Sequence, residues 1–370
     1  MLNRDVYVKA PEQNRPVNNG VAEVSEDHSD AAQQVLRHEL ETFVCDGQYQ
    51  KGMETILDTF LRNLGSGTEQ PGMWISGFYG SGKSHLAKML RHLWTDFSFP
   101  GGATARGLAK LPPQVSDALR EATTAGKRYG GLHAAAGKLG AGAGDHVRLA
   151  LMGIVFKSAG LPEAYAHAQF VMWLRREGLL SAVEADLKEA GRSLAEELPH
   201  LYVSPRIAKA LLKAYPGFAE SETAARALLK AQFPQVADIS NDQLIGAITD
   251  ALSRNGKFPL TLIVLDEVQQ YIGSDTQKAY LVQEVTETLC KHFKGQLLFV
   301  GTGQSALSGT ANLQRLMARF PVPVMLGDWD VENVTRKIIL AKKPTAQPEV
   351  DRIWRANLGE ISRHLRGTKL

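Results

Sequence analysis

The sequence has 370 residues, of which 44% are hydrophobic and 22% charged, values typical of a globular protein of about two domains. Its formal net charge of +3 is too small to indicate nucleic-acid binding by itself. The two cysteines, Cys45 and Cys290, lack the spacing of a zinc site or a disulfide framework. No apolar run approaches the ~18 residues of a membrane span. We therefore expect a cytoplasmic protein with no membrane contact.

The first part of the chain, residues 1–70, is expected to hold an irregular segment followed by two helices. Residues 1–29 contain prolines, asparagines and a glycine, which favour irregular structure. Ser29 or Asp30 is a suitable N-cap for the first helix. The second helix is indicated by apolar residues at helical spacing, namely Met53, Ile56, Leu57, Phe60, Leu61 and Leu64.

A phosphate-binding loop is the strongest motif of the sequence. Met73–Ile75 reads as a short strand, and the following Gly77–Ser84 matches the pattern GxxxxGK[ST]. Its glycines let backbone N–H groups form a nest around a polyphosphate, Lys83 would contact the β- and γ-phosphates, and the Ser84 hydroxyl would ligate Mg²⁺. The alternative is a glycine-rich turn that only closes a β–α unit. The predicted ATP-binding residues are Gly77, Phe78, Tyr79, Gly80, Ser81, Gly82, Lys83, Ser84 and His85.

The middle of the chain, from about residue 95 to residue 260, contains no further motif and reads mainly as helix. Arg128–Ala136 is a candidate small-residue strand, whereas Leu149–Phe156 fits a strand and a buried helix equally well. From Pro162 to Phe233 the pattern is mostly helical, with Ser204-Pro205 as a helix start. We therefore predict a large helical insertion that projects from the sheet as a surface for partners.

A second landmark is Thr261–Glu267, an apolar run that ends in two carboxylates. Four consecutive apolar residues suit a strand buried on both faces of a parallel sheet. At the carboxyl end of such a strand Asp266 could hold Mg²⁺ through water, and Glu267 could polarise the attacking water. The alternative is a core strand followed by acidic loop residues.

The elements after this strand continue the α/β pattern. A helix is predicted over Thr276–Phe293, followed by a buried strand at Gln296–Val300. Thr302 or Gln304, just beyond that strand, could contact the γ-phosphate or the attacking water, unless the loop is merely polar. A helix should then end before Pro321, and an edge strand should follow at Val322–Leu326. Helices at 331–340 and 350–365 would begin a lid.

This order of elements resembles the AAA+/origin-recognition-like branch of P-loop ATPases. The resemblance implies an α/β P-loop NTPase core with a parallel sheet flanked by helices, assigned to residues 71–340, and a C-terminal helical lid from 341 to 370. It also implies a homo-oligomer that forms on ATP binding. By position, it suggests a catalytic acid pair, a sensor and an arginine that reaches a neighbour's ATP, at Asp266 and Glu267, Thr302 or Gln304, and Arg319 with Arg315 second. Candidates for a second sensor in the lid are Arg352, Arg355 and Arg363.

A narrower resemblance rests on RPVNNGVAEVSED at 15–27, ELETFVCDG at 39–47, WISGFYGSGKSHLAKML at 74–90 and TLIVLDEVQQYIG at 261–273. These stretches are similar to the BrxC/PglY-like ATPases of BREX bacteriophage-defence systems. Proteins of that family are much longer, so the chain would cover an N-terminal ATPase portion. The resemblance implies ATP and Mg²⁺ as cofactors, and a complex with a DNA methyltransferase and a phosphatase-like protein.

The sequence leaves three functions open. The first is an ATP-hydrolysing motor or remodeller, and the second is an ATP-dependent switch or scaffold with slow or no turnover. The third, a small-molecule kinase or a helicase, is disfavoured because no substrate-binding arginine cluster and no second RecA-like half is visible. The basic pairs Arg175-Arg176 and Lys342-Lys343 are typical of solvated helix faces. Because the sequence shows no recognition-helix, zinc or aromatic-basic pattern, any DNA binding should be independent of sequence and steeply sensitive to salt.

Overall fold

A computed structural model describes residues 3–9, 24, 29–139, 146–309, 311–327 and 332–367. Most of residues 1–29, predicted to be irregular, therefore lies outside the described residues, as does most of the family-like stretch 15–27. The two predicted N-terminal helices are present, and Ser29 caps the first of them by accepting a hydrogen bond from the Ala32 N–H.

The core is a five-stranded sheet in which every strand pair is parallel. The strands are β1 Met73–Ser76, β2 Leu132–Lys138, β3 Leu260–Asp266, β4 Leu297–Gly303 and β5 Val322–Met325. They run in the spatial order β2-β3-β4-β1-β5. β4 therefore separates β1, which precedes the phosphate loop, from β3, which ends in the acid pair.

Helices cover both faces of this sheet. Those before β3 are α1 Asn3–Val6, α2 Asp30–Glu41, α3 Gly47–Ser66, α4 Lys83–Thr95, α5 Ala105–Leu108, α6 Pro113–Gly126, α7 Val147–Ser158, α8 Tyr165–Arg176, α9 Leu180–Glu189, α10 Leu194–Glu197, α11 Pro205–Ala214, α12 Glu222–Gln232 and α13 Asn241–Leu252. Those after β3 are α14 Val268–Ile272, α15 Thr276–Phe293, α16 Ala311–Gln314 and α17 Gln347–Gly367. The expected α/β architecture of a parallel sheet flanked by helices is confirmed.

The side chains on the two faces of the sheet belong to two separate hydrophobic clusters. Every residue of β3 is buried, as the continuous apolar run predicts. Because side chains alternate along a strand, Ile263 belongs to the cluster that also holds apolar side chains of α7–α13 and α15, whereas Leu262 and Val264 belong to the cluster that holds those of α3, α4 and α6. The sheet therefore lies between two layers of helices, and the connecting loops lie at the carboxyl ends of its strands.

The predicted insertion at 95–260 needs a correction. This range contains β2, which pairs with β3 over its whole length and forms one edge of the sheet. The helical insertion is therefore α7–α13 alone, between β2 and β3. Within it α7 packs directly on β2, whereas α9 and α12 pack on α11, so the prediction that part of the insertion projects from the sheet stays a prediction. Leu149–Phe156, which fitted strand or helix, lies in α7.

The C-terminal part contains the expected edge strand and helices, with shifted bounds. β5 is an edge strand with Pro323 inside it. The predicted helix before Pro321 consists of the short α16 and a 3₁₀ turn at Arg315–Ala318. The predicted lid helix at 350–365 lies within α17, whose Ile353, Trp354 and Leu358 are exposed.

Candidate functional site

The phosphate loop connects the carboxyl end of β1 to the start of α4. Gly80 and Gly82 have φ values of 86° and 85°, a region that favours glycine. α4 begins at Lys83, and its first N–H groups lack intrahelical acceptors because of their position. The N-cap Gly82 carries no side chain that could satisfy them. The backbone therefore presents donors and a positive helix end at this point.

A cavity of about 520 Å³ lies between this loop and the carboxyl ends of β3 and β4. It brings together residues from three predicted motifs that are far apart in sequence. Its lining comprises Tyr79, Gly80, Gly82, Lys83, Ser84, His85, Asp266, Glu267, Gln269, Gln270, Thr302, Gly303 and Gln304. Of the predicted ATP-binding residues, Gly77, Phe78 and Ser81 do not line it.

Lys83 is folded back onto its own loop. Its ammonium donates hydrogen bonds to the carbonyl oxygens of Gly77 and Phe78, both at 2.9 Å. Burial lowers the pKa of this ammonium, whereas the neighbouring Asp266 and Glu267 carboxylates raise it. Both hydrogen bonds are to neutral acceptors, so an anionic ligand in the cavity would compete for the ammonium with a stronger, charge-assisted bond.

Asp266 and Thr302 form a buried polar pair at the floor of the cavity. Each residue is 1% exposed, and the Thr302 hydroxyl donates a hydrogen bond of 2.5 Å to Asp266 Oδ1. The same hydroxyl accepts a hydrogen bond of 3.0 Å from the Glu267 N–H. Thr302, one of the two candidates for contact with phosphate or water, therefore bonds the carboxylate of Asp266 and the backbone of Glu267.

The other oxygen of the Asp266 carboxylate, Oδ2, is buried and accepts no hydrogen bond from the described residues. An unpaired buried carboxylate oxygen is costly unless a ligand or water satisfies it. Mg²⁺ characteristically keeps several waters and takes one or two protein oxygens plus substrate phosphates. Asp266 and Ser84 on the cavity wall fit this requirement. No cluster of three or more His, Cys, Asp or Glu side chains that could hold a metal exists among the described residues.

Glu267 lies directly after β3 in a left-handed conformation, with a φ of 56°. Its carboxylate forms an ion pair of 3.1 Å with the ammonium of Lys138, the last residue of β2. The sequence analysis missed Lys138. In the sequence, Lys138 is visible only as a lysine at the end of a small-residue strand. Its position beside the acid pair follows only once the strand order is known.

The remaining predicted residues divide by position. Gln304 is exposed at the cavity rim. His85 lines the cavity, and burial lowers its pKa despite the opposing effect of the nearby Glu39 carboxylate. Tyr79 also lines the cavity and is 83% exposed.

The predicted arginines do not line this cavity. Arg319 precedes the amino end of β5, which is aligned with the amino end of β1, whereas the phosphate loop follows the carboxyl end of β1. Its guanidinium pairs with Glu287 at 2.8 Å and with Glu69 at 3.7 Å. The lid candidates Arg352, Arg355 and Arg363 are exposed on α17.

No protein-family model matches the chain, and no solved structure matches it. In the described part of the chain, no helix is both long and apolar enough to cross a membrane.

Proposed function

We propose that this chain is a P-loop ATPase of the AAA+-like branch, which binds ATP with Mg²⁺ in the cavity and hydrolyses it. The observation that carries the proposal is the convergence of Lys83 and the Asp266–Glu267 pair on one cavity. The strand order also supports it. β4 lies between β1 and β3, so a single strand separates the phosphate loop, which follows β1, from the acid pair at the end of β3.

Binding would use the start of α4. The N–H groups around Gly82 and the Lys83 ammonium would bind the β- and γ-phosphates. Ser84, through its hydroxyl, and Asp266, through water, would hold Mg²⁺, which supplies positive charge against the phosphate oxygens. Thr302 would keep the Asp266 carboxylate oriented throughout.

Hydrolysis would use Glu267 as general base. Its carboxylate takes a proton from a water molecule as the water oxygen bonds to the γ-phosphorus. The bond between the γ-phosphorus and the β–γ bridging oxygen breaks, which leaves ADP and inorganic phosphate. Gln304, which lines the cavity, would orient the water. A positioned base contributes about 10²–10⁴-fold to such a rate.

The biological setting rests on the resemblance to BrxC/PglY-like proteins. On that basis the chain would be the ATPase portion of a cytoplasmic BREX phage-defence component that oligomerises on ATP binding. It would couple turnover to assembly or remodelling on DNA with a methyltransferase and a phosphatase-like partner. Any direct DNA contact is expected to be independent of sequence and steeply sensitive to salt.

A second candidate function is an ATP-dependent switch with slow turnover. The observation that favours it is the Lys138 ion pair, because an ammonium at 3.1 Å competes with water for the Glu267 carboxylate. In this function ATP would set the assembly state, and hydrolysis would reset it rarely.

The test compares ATP binding and phosphate release in three variants. Lys83→Ala should abolish binding of a fluorescent ATP analogue, whereas the exposed control Lys110→Ala should not. Glu267→Gln should retain binding and slow phosphate release by about 10² or more. Phosphate release is measured with and without duplex DNA. Unchanged binding in Lys83→Ala would refute the ATP site, and unchanged release in Glu267→Gln would favour the switch.

A further inference from the structure

A tyrosine outside the cavity contacts the phosphate loop from behind. Tyr49 lies in the first turn of α3 and is 5% exposed. Its hydroxyl donates a buried hydrogen bond of 2.9 Å to the carbonyl oxygen of Ser81. Tyr49 does not line the cavity, so a bound nucleotide in the cavity would reach it only through the loop.

This hydrogen bond fixes the direction of one peptide unit. The chain contains no cis peptide bond among its described residues, and a trans peptide directs its C=O and its N–H to opposite sides. With the Ser81 carbonyl directed at Tyr49, the N–H of Gly82 is directed away from Tyr49. Gly82 itself lines the cavity, whereas Tyr49 does not. The Gly82 N–H is therefore presented to an anion in the cavity.

The same contact limits how far the loop can move. A Cβ atom built on Gly82 would lie 1.7 Å from the Tyr49 hydroxyl oxygen, so the backbone already touches the tyrosine. The position of Tyr49 is fixed in turn by α3, whose N-cap Asp46 accepts hydrogen bonds from Lys337 and, at 3.2 Å, from Asn333. Tyr49 and α3 thus hold the phosphate loop in position from the side opposite the Gly82 N–H.

We propose that Tyr49 is a positioning residue for the triphosphate, and that its hydroxyl holds the Ser81–Gly82 peptide with the Gly82 N–H facing the phosphates. This inference rests on the proposed ATP site. It adds a residue on α3 to the binding machinery, and it predicts a loss that scales with the phosphate contacts of the ligand and not with its base.

The experiment uses Tyr49→Phe, which removes the hydroxyl and keeps the ring. Tyr202→Phe is a matched control, because the Tyr202 hydroxyl also donates to a backbone carbonyl, that of Phe233, in the helical insertion. Equilibrium Kd values are measured for Mg-ATP and for adenosine, well below the melting temperature of each variant. We expect Tyr49→Phe to raise the Kd for Mg-ATP about five- to tenfold, the usual effect of one hydrogen bond, and to leave the Kd for adenosine unchanged. Tyr202→Phe should change neither.

The outcomes separate this inference from the function on which it rests. Wild-type chain that fails to bind Mg-ATP overturns both. Wild-type chain that binds Mg-ATP with the same Kd as Tyr49→Phe overturns only the role of Tyr49. An equal loss for Mg-ATP and adenosine, or an equal loss in Tyr202→Phe, also overturns that role, because it would reflect a general structural effect.

Discussion

The Lys138 ammonium lies 3.1 Å from the Glu267 carboxylate, at the shared carboxyl edge of β2 and β3. The pairing register explains the contact, since Lys138 stands opposite Asp266, the residue before Glu267. Both side chains are partly exposed, at 34% and 41%, so the pair is accessible to solvent. The Lys138 ammonium is thus paired with the carboxylate that would accept a proton from water in the proposed mechanism.

Lys138→Met is expected to raise basal phosphate release while leaving ATP affinity unchanged. A partly exposed ion pair is worth at most about 1 kcal/mol, so release should rise by no more than about fivefold. Lys157→Met is the matched control, because Lys157 forms a comparable ion pair of 3.0 Å with Glu163. A lower rate in Lys138→Met would contradict this view and would place Lys138 among the groups that assist hydrolysis.

Thr302→Val should impair Mg²⁺-dependent ATP binding and lower stability. The change removes the hydroxyl that bonds Asp266 Oδ1 and accepts the Glu267 N–H, which leaves a buried carboxylate unsatisfied. Such a loss costs about 1–3 kcal/mol of unfolding free energy. Urea unfolding and ATP titrations at several Mg²⁺ concentrations measure the two effects. Thr302→Ser should restore both, and a Mg²⁺ dependence in Thr302→Val equal to that of the wild type would contradict the assignment.

The sequence predicts those parts of the fold that depend on residues close together in the chain. The phosphate loop is recognisable from the spacing of Gly77–Ser84, and β3 is recognisable from its apolar run. Residues of both segments line the cavity. β2 was only a candidate strand, offset from its true bounds, because its alanines favour a helix over a strand and its glycine favours neither.

The relationships that the sequence did not reveal depend on which strands and helices become neighbours. Lys138 meets Glu267 only because β2 pairs with β3, and Tyr49 meets the phosphate loop only because α3 packs behind it. Thr302 was one of two candidates for ligand contact, and besides lining the cavity it bonds Asp266, a contact that the sequence did not indicate. A polar residue at a strand tip has two possible directions, and sequence alone does not choose between them.

The stability of the chain should fall as the pH drops below 6.5, in part because of His133. This residue is 7% exposed, its Nε2 shares a hydrogen bond of 2.9 Å with Ser158, and burial lowers its pKa to about 4. The unfolded state therefore binds one more proton between pH 6.5 and 4, at a cost of about 1.4 kcal/mol per pH unit.

Urea unfolding of wild type and His133→Gln across pH 4.5–7.5 checks this slope. The variant should show a shallower decline below pH 6.5 than the wild type, because it lacks the buried imidazole. Equal slopes in wild type and His133→Gln would mean that His133 is not held neutral by its surroundings.

Arg319 has an intramolecular role in this structure, and its predicted role on a neighbour's ATP stays a prediction. The side chain is 25% exposed and joins Glu287 of α15 to Glu69, which precedes β1. Its backbone carbonyl accepts a hydrogen bond of 2.7 Å from Gly72. Arg319→Ala should therefore lower the free energy of unfolding by about 1 kcal/mol, as expected for partly exposed ion pairs.

The role on a neighbour's ATP adds effects that an ion pair alone cannot produce. Turnover per chain should rise with protein concentration, because an arginine supplied in trans raises phosphoryl-transfer rates by about 10³–10⁵. A mixture of Arg319→Ala and Glu267→Gln should regain part of the lost activity, since some interfaces then hold both groups. Lys291→Ala, which removes the other cation on Glu287, is the control and should leave the concentration dependence intact. Turnover that is independent of concentration, with no rescue in the mixture, would confine Arg319 to its ion pairs with Glu287 and Glu69.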